Sequence, residues 1–405
     1  MTTRGWIRPL RERDFRLFFI GQSTSQLGST MAPVAIAFAV LDHGTATDVG
    51  LVMASETIPL VVLLLVGGVF GDHMNRRTLM LRADLLRTFA ECSLGLWVLL
   101  GHPPLWGFMV LAALLGIGQA FFSPSLTGIV PQLLSDTLLQ QGNALNSLSY
   151  SGGAIVGPAF AGVIIASANP GWAILIDGIT FFVSVLSLAM IKIDWAPMEH
   201  RESFTTLLHE GWRALWGRTW LWVIVVGASI VNMFFAFYFV LGPAVAKASL
   251  GGAPAWGLIL AVEGVGAMAA GLIMLKLHPR RPLFLATVLL LAVPLPLLFL
   301  SGPSPLWAIA AAAFCCGGAL TAFTVQWNTT MQREIEPHLL ARVSAYDWFG
   351  SLVFMPVGMA IAGPTARLIG TSSALVLAGV VIAVVVLASL CVPSIRNLRA
   401  PAPPA

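Results

Sequence analysis

Residues 49–77 read VGLVMASETIPLVVLLLVGGVFGDHMNRR, an apolar block that ends abruptly in a glycine-rich turn with one acid and a pair of arginines. A helix that crosses a membrane needs about 20 apolar residues, and before Asp72 this block carries a single charge, Glu56. It shows no alternation of period two, as a barrel strand would. In lipid the backbone must satisfy its own hydrogen bonds, so the block reads as a helix. Working outward, blocks of the same kind fall at 15–41, 49–71, 79–100, 105–127, 143–167, 171–192, 219–246, 255–277, 282–301, 305–328, 342–368 and 371–393. Of the 405 residues, 57% are hydrophobic and 10% are charged, against about 25% charged in an ordinary soluble domain. That balance excludes disorder, a disulfide scaffold and a soluble enzyme. The expected fold class is an all-α membrane protein with twelve transmembrane helices.

Lysine and arginine orient the spans. Arg4, Arg8, Arg11, Arg13 and Arg16 precede the first span; Arg76, Arg77 and Arg82 follow the second; Lys192, Arg201, Arg213 and Arg218 follow the sixth. Lys276, Arg280 and Arg281, then Arg333 and Arg342, then Arg396 and Arg399, fall on the same side, leaving only Lys247 and Arg367 opposite. The expectation is a multi-pass protein of the cell inner (plasma) membrane with both termini cytoplasmic. The net charge of +4 sits on one membrane side, which is not the patch that nucleic acid requires. The run from Phe15 to Leu41 is too long for a signal peptide and is kept as the first span. Cys92, Cys315, Cys316 and Cys391 lie inside apolar blocks without C-x-x-C spacing and read as small buried hydrophobes.

The chain divides into a six-helix bundle over 1–193, a cytoplasmic linker over 194–218, and a second six-helix bundle with a short tail over 219–405. In the linker, Phe204, Leu207, Leu208, Trp212, Leu215 and Trp216 recur at helical spacing, the pattern of a short helix on the membrane surface. The bundles are related. Gly50, Leu51, Ala54 and Glu56 recur as Gly257, Leu258, Ala261 and Glu263, an offset of 207 residues (50 to 257, 56 to 263). Arg76 and Arg77 recur as Arg280 and Arg281, and Pro158 has its counterpart in Pro356.

The turn after the second span, GVFGDHMNRR at 68–77, resembles the loop signature of the major facilitator superfamily, G-x-x-x-D-R-x-G-R-R/K, with Gly68, Asp72, Arg76 and Arg77 matching. His73 and Asn75 stand where the signature has Arg and Gly; asparagine tolerates the left-handed turn that glycine would take. Asp72 can accept hydrogen bonds from a facing helix N-terminus or an arginine, so Gly68, Asp72, Arg76 and Arg77 read as a conformational latch. The second-half copy is degraded, with Lys276 near the place of the acid. Span 5 carries GAIVGPAFAG at 153–162, similar to the antiporter pattern of the same superfamily. Gly153, Gly157, Pro158 and Gly162 let helices touch, and the proline bends the helix. The arginine usual in span 4 of exporters is replaced by GIGQA at 116–120. With RERDFRL at 11–17, DLLR at 84–87 and EGW at 210–212, the chain resembles the enterobactin-exporter and macrolide-efflux branch. That resemblance implies export of siderophores or drug-like molecules.

Charges inside spans are costly, about 2.5–3.5 kcal/mol each at a helix centre. Asp84, Arg87 and Glu91 share one face of span 3 and can neutralise one another; Glu56 and Glu263 occupy matching places in spans 2 and 8; Asp177 lies in span 6 and Asp347 near the inner end of span 11. Each acid is a candidate proton carrier or gating charge, and Asp84 and Asp347 can equally pair with arginines at the cytoplasmic ends. Gln22, Ser25, Gln26 and Ser29 make a polar stripe in span 1, and with Gln119, Asn232 and Tyr238 they outline a candidate substrate pocket, apolar with few polar anchors. The same groups also suit interhelical hydrogen bonds.

No G-x-x-x-x-G-K-[ST] loop is present, so ATP drive is not encoded here, and no G-x-S-x-G appears. All seven histidines fall in loops or at span ends, which leaves no intramembrane metal or haem site, and no cofactor is implied. The expectation is a non-enzymatic secondary transporter, monomeric, that moves a small amphipathic molecule outward in exchange for protons. A proton-coupled importer and a non-transporting receptor are the alternatives.

Overall fold

The computed structural model describes residues 8–73, 75–192, 212–277 and 279–399, without the side chains of 64–73, Thr127, Asp136, Pro337, His338 and Ala341. Among the described residues there are helices and no strands. The first six spans are α1 (Arg13–Leu41), α2 (Ala46–His73), α3 (Arg76–Leu100), α4 (Leu105–Leu133), α5 (Asp136–Ser167) and α6 (Pro170–Met190). Spans 7 and 8 are α7 (Thr219–Val245) and α8 (Ala253–Met274). Span 9 is built from α9 (Pro282–Leu289) and α10 (Leu295–Leu300), span 10 is α11 (Leu306–Glu334), span 11 is α12 (Pro337–Leu352) with α13 (Met355–Ile369), and span 12 is α14 (Thr371–Cys391).

Among the described residues eleven spans are long and apolar enough to cross a membrane. The twelfth, α3, is a helix of 25 residues whose six charges lower its hydropathy. It packs between α4 and α6 as a full member of the bundle. Local chemistry sets the helix starts. Asn75 caps α3, its side chain accepting from the backbone N–H of Arg77 at 3.0 Å and of Thr78 at 3.4 Å. Its φ is −59°, so the left-handed turn expected at this position is absent; an N-cap uses extended backbone, and asparagine serves as well there. Asn169 caps α6 in the same way at 2.8 Å, with Pro170 at the first helical position.

Two compact units emerge, one of Met1–Glu199 with Ala246–Ala261, the other of His200–Val245 with Val262–Ala405. The stretch Ala246–Ala261 thus belongs to the first unit, although the sequence repeat places it in the second half. Within the first unit α1 packs on α5 and α6, α2 on α4, and α3 on α4 and α6. Within the second, α7 packs on α12, α13 and α14, while α9 and α10 pack on α11 and α14. Neighbour relations therefore repeat from half to half. Glycine makes the closest approaches: a Cβ on Gly116 would collide with the Glu56 carbonyl oxygen, and a Cβ on Gly317 with that of Glu263.

Each unit has an apolar core towards one end, Phe15, Phe18, Met80, Ile129 and Leu188 in the first, and Trp220, Leu221, Leu283, Met331 and Val343 in the second. Many large apolar residues face outward, such as Leu100, Trp307 and Leu368. Cys315 and Cys391 are among the exposed residues and only Cys316 is buried, which corrects the reading of all four as buried. In a membrane protein an apolar sequence position can face lipid as well as protein.

Candidate functional site

The site grows from span 3. Asp84, Arg87 and Glu91 lie at helical spacing on one buried face of α3. Arg87 Nη1 donates to Asp84 Oδ1 at 3.1 Å, and Ser184 of α6 donates to Asp84 Oδ2 at 2.6 Å, so both carboxylate oxygens are taken. The guanidinium lies 3.8 Å from the ring centre of Phe181 and 5.1 Å from that of Phe122, and it reaches Ser29 of α1 at 3.4 Å. A desolvated cation over aromatic faces gains about 2 kcal/mol. Gly118 makes the room: a Cβ there would press on the Arg87 side chain. The GIGQA segment that lacks the usual span-4 arginine thus accommodates an arginine from span 3.

Glu91 does not join this pair. Its residue is 1% exposed, and its Oε2 has no hydrogen-bond partner. Asp177 on α6, equally buried, accepts only from Thr180, at 3.1 Å. A Cβ on Gly28 of α1 would collide with the Asp177 carboxylate and the Thr180 hydroxyl, so the small residue lets α1 pass this polar cluster.

These groups line a cavity of about 880 Å³ inside the first unit. Glu56, Arg87, Glu91 and Asp177 contribute its charges, Gln22, Gln26, Gln119, Asn146 and Tyr150 its neutral polar groups, and Ile36, Leu115, Phe122 and Phe181 its apolar wall. Two further lining acceptors, Gln22 Oε1 and Asn146 Oδ1, are buried without a partner. The volume suits a drug-sized molecule.

The remaining candidates lie elsewhere. Asn232 lines a smaller cavity of about 300 Å³ inside the second unit, where its amide donates to the Ser351 carbonyl at 3.0 Å. Asp347 lines the same space and accepts from the indole N–H of Trp327 at 3.0 Å and from the Ser351 hydroxyl at 3.5 Å; among the described residues no cytoplasmic-end arginine bonds it. Tyr238 is fully buried, and its hydroxyl donates to Glu263 Oε2 at 3.1 Å. Ser184, Phe181 and Trp327 escaped sequence reading because their partners lie on other helices.

In the latch segment, the packing of Gly68 and the side chain of Asp72 lie outside the described residues. Arg77 donates to the carbonyls of Leu188 at 2.7 Å and Ala189 at 2.6 Å, satisfying the open C-terminal end of α6. The Arg76 guanidinium lies against Gly128 of α4. In span 5, Gly153 and Gly157 face α1, where the Thr30 hydroxyl lies 2.8 Å from the Gly153 carbonyl. Gly162 faces Ala253 and Pro254, and Gly257 sits on the Pro158 carbonyl. The helix runs unbroken through Pro158. The linker helix expected before residue 212 lies outside the described residues; 212–216 are helical.

Repeated membrane-spanning helices with a drug-sized cavity that carries buried charges are the build of a transporter of small molecules. The chain matches the transmembrane secretion effectors over residues 4–401 and belongs to that family of the major facilitator superfamily, whose members are transporters and not enzymes. It is similar to the multidrug efflux pump Tap of Mycolicibacterium fortuitum, 26% identical over 87% of this chain and 89% of that one. It is also similar to macrolide efflux protein A of Streptococcus pyogenes, 24% identical over 95% and 96% of the two chains. The fold is shared with the nucleoside transporter NupG, with a TM-score of 0.77 at 10% identity over 95% of this chain and 100% of that one.

Proposed function

We propose that the chain exports a small amphipathic compound across the plasma membrane by proton antiport, as a monomer whose bundles, 1–193 and 219–405, alternate access about the linker 194–218. Both termini face the cytoplasm. The observation that carries this reading is the 880 Å³ cavity in which three carboxyl groups, the buried Glu91 and Asp177 and the half-buried Glu56, share one space with a guanidinium that donates to Asp84. Carboxyl groups so placed can take up a proton or a substrate group in turn, and intramembrane acids in transporters serve this purpose. The similarity to two named efflux proteins supports the outward direction. The sequence lacks an ATP-binding loop, so a proton gradient is the available drive.

Asp72, Arg76 and Arg77 form the inner latch, with Gly68 allowing the close turn. Gly153, Gly157, Pro158 and Gly162 form the contact that flexes, supported by the tight approach of α5 to α1 and to residues 253–257. A latch bias of about 1.4 kcal/mol shifts the conformer ratio tenfold. The test uses inverted membrane vesicles containing the full chain and an acid-inside gradient. Uptake of a labelled macrolide or ethidium that collapses with the gradient is expected. Asp72→Asn should slow it at unchanged membrane abundance. Uptake indifferent to the gradient, or an Asp72→Asn rate equal to wild type, would refute the coupling and the latch respectively.

A further inference from the structure

We propose that Trp212, Trp216 and Tyr346, flanked by Arg213 and Arg342, bind the headgroup of an anionic phospholipid at one rim of the second unit. The site stands apart from the export reading: it is an equilibrium contact with the bilayer and concerns neither the cargo nor its direction.

The site begins where the chain enters span 7. Residues 212–216 are helical, and Leu215 is buried in the apolar core of the second unit with Leu221, Ile224 and Val343. That contact pins the short helix by one face and turns its tryptophans outward, Trp212 50% and Trp216 46% exposed. The rings then continue into the bundle. Trp212 meets Trp216 edge to face with centroids 5.5 Å apart, and Tyr346 of α12 at 5.8 Å. Trp216 stacks on Trp222 at 5.5 Å. Trp222 lies in the first turn of α7, which opens a span that runs from Thr219. The cluster therefore sits at the depth where hydrocarbon gives way to headgroups, the level that tryptophan and tyrosine favour. An indole there has acyl and glycerol carbons on one side and polar groups on the other.

Charge decides which headgroup fits. Arg213 adjoins Trp212, is exposed, and its guanidinium has no bonding partner among the described residues. Arg342, half-buried, stands one turn before Tyr346 on the same face of α12. The acid at the start of α12, Glu336, has both carboxylate oxygens bonded by Arg218, at 3.2 and 2.9 Å. Asp347, next to Tyr346, is buried and accepts from Trp327. Three arginines thus face one exposed acid, and the rim keeps a positive excess. An arginine fork takes a phosphate through two parallel bonds, and basic side chains beside a span attract anionic lipid. A choline headgroup would bring its own ammonium towards the same arginines, so it is the poorer complement.

The test reads the lipid retained by the full-length protein in native mass spectrometry, from micelles holding equal amounts of phosphatidylglycerol and phosphatidylcholine with the same chains. Wild type should retain phosphatidylglycerol at least fivefold over phosphatidylcholine. Arg213→Gln, at an exposed position, should at least halve that ratio, and adding Arg342→Gln should bring it close to one. Arg213→Lys, which keeps the charge, should hold most of it. Trp212→Ala with Trp216→Ala should lower retained phosphatidylglycerol at least threefold. Arg82→Gln removes an exposed arginine of the first unit and should leave the ratio unchanged. Excess glycerol 3-phosphate, a phosphate without chains for the rings to hold, should not displace the lipid. Size-exclusion profiles matching wild type show that the variants fold. A wild-type ratio near one, the outcome if linker residues cover these rings, would overturn the proposal. So would an equal fall in Arg82→Gln, displacement by glycerol 3-phosphate, or a wild-type ratio in the double arginine variant.

Discussion

The two halves share a packing plan and answer buried charge differently. In each, a glycine of the fourth span rests on the backbone carbonyl of a glutamate in the second, Gly116 on Glu56 and Gly317 on Glu263. In the first half a buried acid meets a cation, Asp84 with Arg87, beside a cavity of about 880 Å³. In the second, acids meet neutral donors, the half-buried Glu263 with Tyr238 and the buried Asp347 with Trp327, and the cavity is about 300 Å³. Backbones differ as well: spans 3 and 5 are continuous, whereas spans 9 and 11 break near Pro294 and before Pro356. Helix–helix approach admits few solutions, so small residues at the crossing persist. Side chains that face a cavity are free of that constraint, and they differ between the halves.

The sharpest way to break the comparison is to strip each buried acid of its partner. Arg87→Met strands Asp84 and should cost about 3–5 kcal/mol, read as a large fall in thermal stability in detergent, with Asp84→Asn in the same chain recovering most of it. Trp327→Phe, which removes only a neutral donor from Asp347, should cost less than half as much. Equal losses would abolish the distinction between the halves. Next in size, Gly116→Val and Gly317→Val should each destabilise by about 1–3 kcal/mol through overpacking, and equal falls in monodisperse yield would confirm that the crossing is shared. Tyr238→Phe should cost about 1 kcal/mol by the same thermal measurement. Smallest of all, Lys247→Ala removes an ion pair to Asp42 at 2.7 Å between half-exposed side chains, and should shift stability by no more than about 1 kcal/mol; a larger loss would make this contact part of the scaffold.

Much of this was legible from residues alone. Block length and charge poverty placed the helices, and the Asp84, Arg87 and Glu91 spacing placed three charges on one face of α3. The repeat pairs Glu56 with Glu263, and in the fold each carbonyl meets a glycine of the fourth span of its half. Yet the same spacing invited a mutual hydrogen-bonded neutralisation that Glu91 does not join: Arg87 bonds Asp84, and Glu91 Oε2 is left without a hydrogen-bond partner. Gln22, Gln26, Gln119, Asn232 and Tyr238 read as one pocket; the structure gathers the glutamines on the larger cavity, places Asn232 on the smaller and buries Tyr238 against Glu263.

Hydropathy acts residue by residue, so the order of residues along the chain was enough to specify an all-helical membrane protein. Which acid finds a base, which face of an apolar helix meets lipid and where a cavity opens depend on neighbours a hundred residues away, as Ser184 with Asp84 shows. Those choices were made by packing, since distance in space and not distance in sequence governs a hydrogen bond.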